Sequence, residues 1–131
     1  MVSFLIMKRL IWKKTDPPNF ENVPEKAGIY IISTRQEADH AFEVKYVDQA
    51  NNLRTRIKEH WSKKEKNLKL KAHISEGYIM KLNYSEVNSQ ADRDGMVTYM
   101  QQIFEPPFNS GSPQGNIVIN CSLPEVRKQS G

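Results

Sequence analysis

The sequence predicts an α+β fold: a small three-stranded antiparallel sheet flanked by helices. Three observations carry that expectation. Two short runs rich in β-branched and aromatic residues stand on either side of a polar stretch, an amphipathic helical repeat follows the second run directly, and another strand-like run precedes a second such repeat.

Taken in order, Met1 to Trp12 reads as an N-terminal strand or extended arm, which Thr15-Asp16-Pro17-Pro18-Asn19 breaks. Phe20 to Lys26 contains Pro24 and reads as a connector. Gly28-Ile29-Tyr30-Ile31-Ile32-Ser33 is a buried strand, and Thr34 to Ala41 is polar enough for a hairpin loop. Phe42 to Val47 alternates apolar and polar side chains, which predicts Phe42, Val44, Tyr46 and Asp48 on one side of the pleat. The period then changes, with Leu53, Ile57 and Trp61 at helical spacing and Asn51 or Asn52 placed to cap the first turn.

Beyond that helix, Lys63-Lys64-Glu65-Lys66, Lys69 and Lys71 form a charged stretch with few apolar anchors, expected as a helix end or an exposed loop. Tyr78 to Tyr84 is the third strand, with Tyr78, Met80, Leu82 and Tyr84 on one face. Met96, Met100 and Ile103 mark a helix from Ala91 to Phe104, which Pro106-Pro107 stops. Asn109 to Asn116 predicts turns, Ile117-Val118-Ile119 a short strand, and Leu123 to Gly131 a frayed tail. This divides the chain into an arm and connector (1–23), a domain (24–109) and a C-terminal extension (110–131).

A chain of 131 residues fits one domain and buries a modest core at 38% hydrophobic content. The single cysteine, Cys121, excludes an internal disulfide and a cysteine zinc cluster, in keeping with a reducing cytoplasm. Lys8-Arg9 follows the apolar run Val2 to Met7 instead of preceding it, which argues against a signal peptide. That run is also far short of the roughly 20 residues of a membrane-spanning helix, so no membrane is expected. A net charge of +4 is mild for a nucleic-acid binder, so its distribution matters more than its total.

Gly28-Ile29-Tyr30, Tyr46-Val47-Asp48, Asn52-Leu53, Arg56 and His60, followed by the helix around Arg93 to Met100 and by Pro106-Pro107-Phe108-Asn109, together resemble the GIY-YIG nuclease superfamily. The similarity spans Pro24 to Asn109. It implies a site in which Tyr30 is the general base or water-orienting group and Tyr46 supports it. It further implies that Arg56 binds phosphate, Asn109 helps position the site and His60 shuttles a proton. A helix Glu would hold a divalent cation, Mg²⁺ or Mn²⁺, but Val97 stands at that position, and Asp48 replaces the glycine of the second motif. A hard cation takes oxygen ligands, so valine cannot substitute.

Each residue also has a plainer role. Tyr30 and Tyr46 can pack as strand tyrosines; either phenol needs a nearby cation to act as a base at neutral pH, and Arg56 is the candidate. Arg56 and His60, four apart, share a helix face. Asn109 can tie its loop to the sheet, and Val97 fits the apolar stripe of its helix. Asp48 suits turn geometry, or its carboxylate recruits a metal or repels phosphate from Tyr46's side. Cys121 and His73 read as structural or exposed. Arg54, Lys58, Lys63, Lys64 and Lys66 are candidate nucleic-acid contacts, with Trp61 as a stacking face.

Three readings compete. The first is a GIY-YIG-like domain that binds nucleic acid, expected to be DNA, with cleavage impaired or lost. The second is an active endonuclease with a substitute metal ligand such as Asp48, Glu43 or Glu105. The third is a protein-interaction domain on the same scaffold.

Overall fold

The computed structural model describes residues 7–109 and 117–129. The expectations that fall on residues 1–6, on the turn-rich 110–116 and on 130–131 lie outside the described residues. Seven elements follow in the order β1 (Lys13–Thr15), β2 (Gly28–Arg35), β3 (Glu43–Ala50), α1 (Leu53–His60), α2 (Leu68–Ser75), β4 (Ile79–Glu86) and α3 (Gln90–Phe104). The sheet is antiparallel with strand order β1-β4-β2-β3. It therefore has four strands, not three. Lys13-Lys14-Thr15 carries no alternating pattern, and it becomes a strand by pairing its backbone with Tyr84, Asn83 and Leu82.

The sheet is the middle of three layers. One face carries Tyr30, Ile32, Tyr46, Leu82 and Tyr84 against Leu53 and Ile57 of α1 and Leu70 of α2. The other carries Ile29, Ile31, Val44 and Val47 against Met96, Met100 and Phe104 of α3. β2 is buried on both faces, as its unbroken apolar run requires.

Val44 and Tyr46 lie on opposite faces, against the expectation from simple alternation. The cause is a β-bulge: Ile32 pairs with Tyr46 but Ser33 pairs with Val44, so Lys45 is an extra residue that resets the phase of β3. Tyr46 and Asp48, beyond the bulge, do share a side.

Two further expectations need correction. The charged stretch contains α2, capped by Asn67, whose side chain accepts from the Leu70 amide and donates to the Phe108 carbonyl at 2.7 Å. Leu70 and His73 are its buried anchors, too few to give a sequence signal. The C-terminal segment is not frayed over its described residues. The Arg127 carbonyl accepts from Val44, the Arg127 amide donates to Phe42, and Leu123 and Val126 pack on the α3 layer. Ile117 to Ile119 forms no strand, although the Ile119 amide donates to the Gly95 carbonyl. No helix among the described residues is long and apolar enough to cross a membrane.

Candidate functional site

Gly28 lets α1 dock against the start of β2. A Cβ there would meet the Ser85 carbonyl oxygen at 2.3 Å and a Leu53 methyl at 2.6 Å, so only a hydrogen fits. The Asn52 side chain caps α1 by accepting from the Thr55 amide. With Leu53 and Ile57 facing the sheet, His60 falls on the buried side near the C-terminal end of the helix, and Arg56 lies on its flank.

Tyr30, fully buried at the centre of β2, has its hydroxyl 2.6 Å from His60 Nε2, and His60 Nδ1 hydrogen-bonds Glu65 Oε2. A carboxylate at Nδ1 fixes the imidazole proton there, so Nε2 is the acceptor and Tyr30 donates. Glu65 Oε1 in turn accepts from the Asn67 amide at 2.8 Å. The result is a buried chain from tyrosine through histidine to glutamate. Burial, the strongest influence, holds His60 below its usual pKa, against the pull of Glu65; the imidazole is neutral at pH 7. Burial works to raise the Glu65 carboxyl, but the Asn67 amide and His60 outweigh it and the net shift is downward. Burial, reinforced by the Asp48 charge, pushes the Tyr30 phenol well up, and the opposing effect of Arg56 is smaller. Arg56 therefore does not make Tyr30 a base on its own.

Tyr46 stands beside this chain, its ring 6.3 Å from that of Tyr30 and 5.1 Å from that of His60. Its hydroxyl donates to Asp48 Oδ2 at 2.8 Å, and burial followed by Asp48 raises its pKa. The Arg56 guanidinium lies 4.0 Å from Asp48 Oδ2 and 3.3 Å from Glu59 Oε2, with 36% of its side chain exposed. It is the accessible cation of the cluster, partly neutralised by two carboxylates. Tyr30, Tyr46, Arg56 and His60 thus meet in one place.

Other candidates sit elsewhere. The Asn109 amide clamps β3, with Oδ1 accepting from the Val47 amide at 2.9 Å and Nδ2 donating to the Val47 carbonyl at 2.7 Å, which uses it structurally. Arg54 donates to the carbonyls of Val23 and Glu21, holding the connector. Lys58, Lys63, Lys64 and Lys66 are exposed on and after α1. His73 is buried, bonded to Thr34 Oγ1 at 2.9 Å and stacked on Tyr78.

Among the described residues, no group of three ligating side chains gathers around Tyr30 and Tyr46. Val97 packs with the layer on the opposite face of the sheet. Both Asp48 oxygens already accept hydrogen bonds, from Tyr46 and from the Gln49 amide. Glu43 pairs with Lys45 and Arg127, and Glu105 with Lys128. Among the described residues, a group of three ligating side chains occurs at Glu37, Asp39 and His40, exposed in the β2–β3 loop.

Sequence reasoning missed Glu65. It sits in a lysine run, and such runs read as solvated surface; its distance of five residues from His60, across a helix end, was the one available signal. Comparison with protein-family models, with curated proteins and with solved structures found no match for this chain.

Proposed function

We propose that this chain is a divergent GIY-YIG-like domain that grips the phosphate backbone of nucleic acid, DNA in the first instance, with phosphodiester cleavage impaired. The observation that carries the reading is the meeting of Tyr30, Tyr46, His60 and Arg56, drawn from two strands and one helix, in a single side-chain cluster. Arg56 is the phosphate receptor: its planar fork takes two oxygens once Glu59 swings out to solvent. Lys58, Lys63, Lys64 and Lys66 supply the surrounding positive rim.

Two features argue for impairment. The Tyr30 hydroxyl is fully buried and committed to His60, so no attacking water reaches it in this arrangement. The Asp48 carboxylate stands beside Arg56 where phosphate oxygens would approach, and like charges repel. The Asp48 carboxylate beside the phenols is already shared by Tyr46, the Gln49 amide and the Arg56 guanidinium, and that cation disfavours a second one such as Mg²⁺ or Mn²⁺ there.

One observation favours residual activity. Tyr30 is bonded to His60 Nε2 and His60 to Glu65; once a rearrangement opens the phenol to water, Tyr30 takes a proton from that water while passing its own to Nε2, and Glu65 stabilises the imidazolium. Under that second reading Asp48 leaves Tyr46 to become a metal ligand. A plasmid-nicking assay with Mg²⁺ and with Mn²⁺ separates the two. The impaired reading expects no nicking by the natural protein. Cleavage that disappears in both Arg56→Ala and Tyr30→Phe would establish the active enzyme instead. The third possibility, a protein-interaction scaffold, predicts neither cleavage nor salt-sensitive DNA retention.

A further inference from the structure

A cavity of about 720 Å³ opens at the β1–β4 edge of the sheet and involves none of the residues of the Arg56 cluster. Register explains its lining. Lys14 is opposite Asn83 across the β1–β4 pair, and Lys81 lies two residues before Asn83 on β4, so all three side chains share one side of the pleat. Trp12 precedes β1 by one residue and joins them, Lys13 flanks the mouth, and Glu125 from the C-terminal segment is the one acid of the lining. Alternation turns Lys13 toward the other side of the pleat, with Tyr84, so two ammoniums, those of Lys14 and Lys81, face one carboxylate.

The floor is unusual. Asn83 is 5% exposed, yet its side-chain oxygen has no hydrogen-bond partner among the described residues. A buried amide oxygen left unpaired is costly, and it asks for an N–H donor from whatever fills the cavity. Lys81 donates to the Glu125 carbonyl at 2.9 Å and leans over the Phe42 ring at 4.4 Å, while Arg35 sits 4.2 Å from the same ring. Two cations crowd one ring, and burial and then Lys14 make the Lys81 ammonium harder to keep charged. Positive charge here is under-compensated.

We propose that this cavity is a nucleotide site. The phosphate sits between Lys14 and Lys81, and the base lies against Trp12 with a ring or amino N–H on Asn83 Oδ1. The volume falls within the range of small-ligand pockets, roughly 300 to 1,000 Å³. A purely anionic ligand would leave Asn83 unanswered, and an apolar one would leave the lysines. A base joined to a phosphate satisfies both. The ligand is a free nucleotide or one nucleotide of a single strand, and the inference does not depend on the Arg56 reading.

The test titrates the full chain with guanosine 5′-monophosphate, with a single-stranded 12-mer and with inorganic phosphate, following backbone and indole signals by NMR. The expected result is saturable binding of the nucleotide, with shifts centred on the Trp12 indole and the Asn83 amide and much weaker binding of phosphate. The exposed Lys14→Glu change should weaken binding at least about tenfold, since it turns a charge-assisted phosphate contact into a repulsion. Lys81→Gln should weaken it in the same direction, and Lys26→Gln, an exposed lysine outside the lining, should leave it unchanged. Tighter binding of the 12-mer identifies a strand as the ligand, and equal binding identifies the free nucleotide. The proposal is overturned if neither nucleotide probe binds, if phosphate binds as tightly as the nucleotide, or if the shifts centre on Trp61 and vanish in Arg56→Ala.

Discussion

Replacing Glu65 by Gln tests the buried chain directly, because the two side chains have the same shape and differ in what their atoms can accept. In the natural protein Oε2 accepts from His60 Nδ1 and Oε1 from the Asn67 amide, so both oxygens are in use. Glutamine brings one oxygen and one NH₂. If the oxygen stays on Asn67, the NH₂ faces the Nδ1 proton; the imidazole must then move its proton to Nε2, where it confronts the Tyr30 hydroxyl. If the oxygen stays on His60, the Asn67 amide is left without its acceptor. Either way one buried donor is orphaned, at about 1–3 kcal/mol, and a charge-assisted bond becomes a neutral one, at about 1 kcal/mol more. The expected loss is therefore about 2–4 kcal/mol, on the order of 10 °C in melting temperature for a domain of this size.

Acid sensitivity follows from the same groups. His60 has a folded pKa below its ordinary 6.5, so as pH falls through that value the unfolded chain takes up a proton that the folded chain refuses. Stability is fully present above pH 6.5 and declines below it. Glu65, lowered in the fold from 4.5, adds a further loss below that pH in the natural protein and none in Glu65→Gln. Urea denaturation between pH 4 and 8, with the imidazole ¹⁵N shifts of His60, measures both effects. A cost under about 0.5 kcal/mol with an unchanged His60 tautomer would refute the reasoning, since surface substitutions fall in that range.

Other outcomes follow from single contacts. Gly28→Ala should cost about 3 kcal/mol in chemical denaturation, because the new methyl meets a backbone carbonyl that cannot move aside. Asn109→Ala should cost about 2 kcal/mol through its two bonds to the Val47 backbone while leaving DNA retention at the natural level, which a filter-binding assay checks. Cys121 is fully buried and its thiol is pushed up to about 11 by desolvation, so alkylation at pH 7.5 should proceed only as fast as the chain unfolds.

The parts of the fold legible in the sequence were those with a strong local period. The apolar run of β2, the repeat of α1 with its Asn52 cap, and the methionine stripe of α3 all have one. What stayed hidden depends on distant partners. β1 exists because β4 offers an edge, α2 because Asn67 and Phe108 close its first turn, and the C-terminal segment is held by β3. The bulge at Lys45 is likewise invisible locally, and it reversed the expected side of Val44 while leaving Tyr46 and Asp48 together. Within the site, motif order singled out Tyr30, Tyr46, Arg56 and His60. Glu65 was masked by the lysines around it, and Asn109 turned out to serve the strand backbone.

The claim that Arg56 and its aromatic neighbours hold nucleic acid without cutting it is tested most directly by duplex DNA retention, measured from about 50 to 200 mM salt with Mg²⁺ present. The account predicts retention that weakens steeply with salt, falls at least about tenfold in Arg56→Ala, and leaves the DNA intact. Equal retention by the natural protein and Arg56→Ala, or DNA returned cleaved, would contradict it.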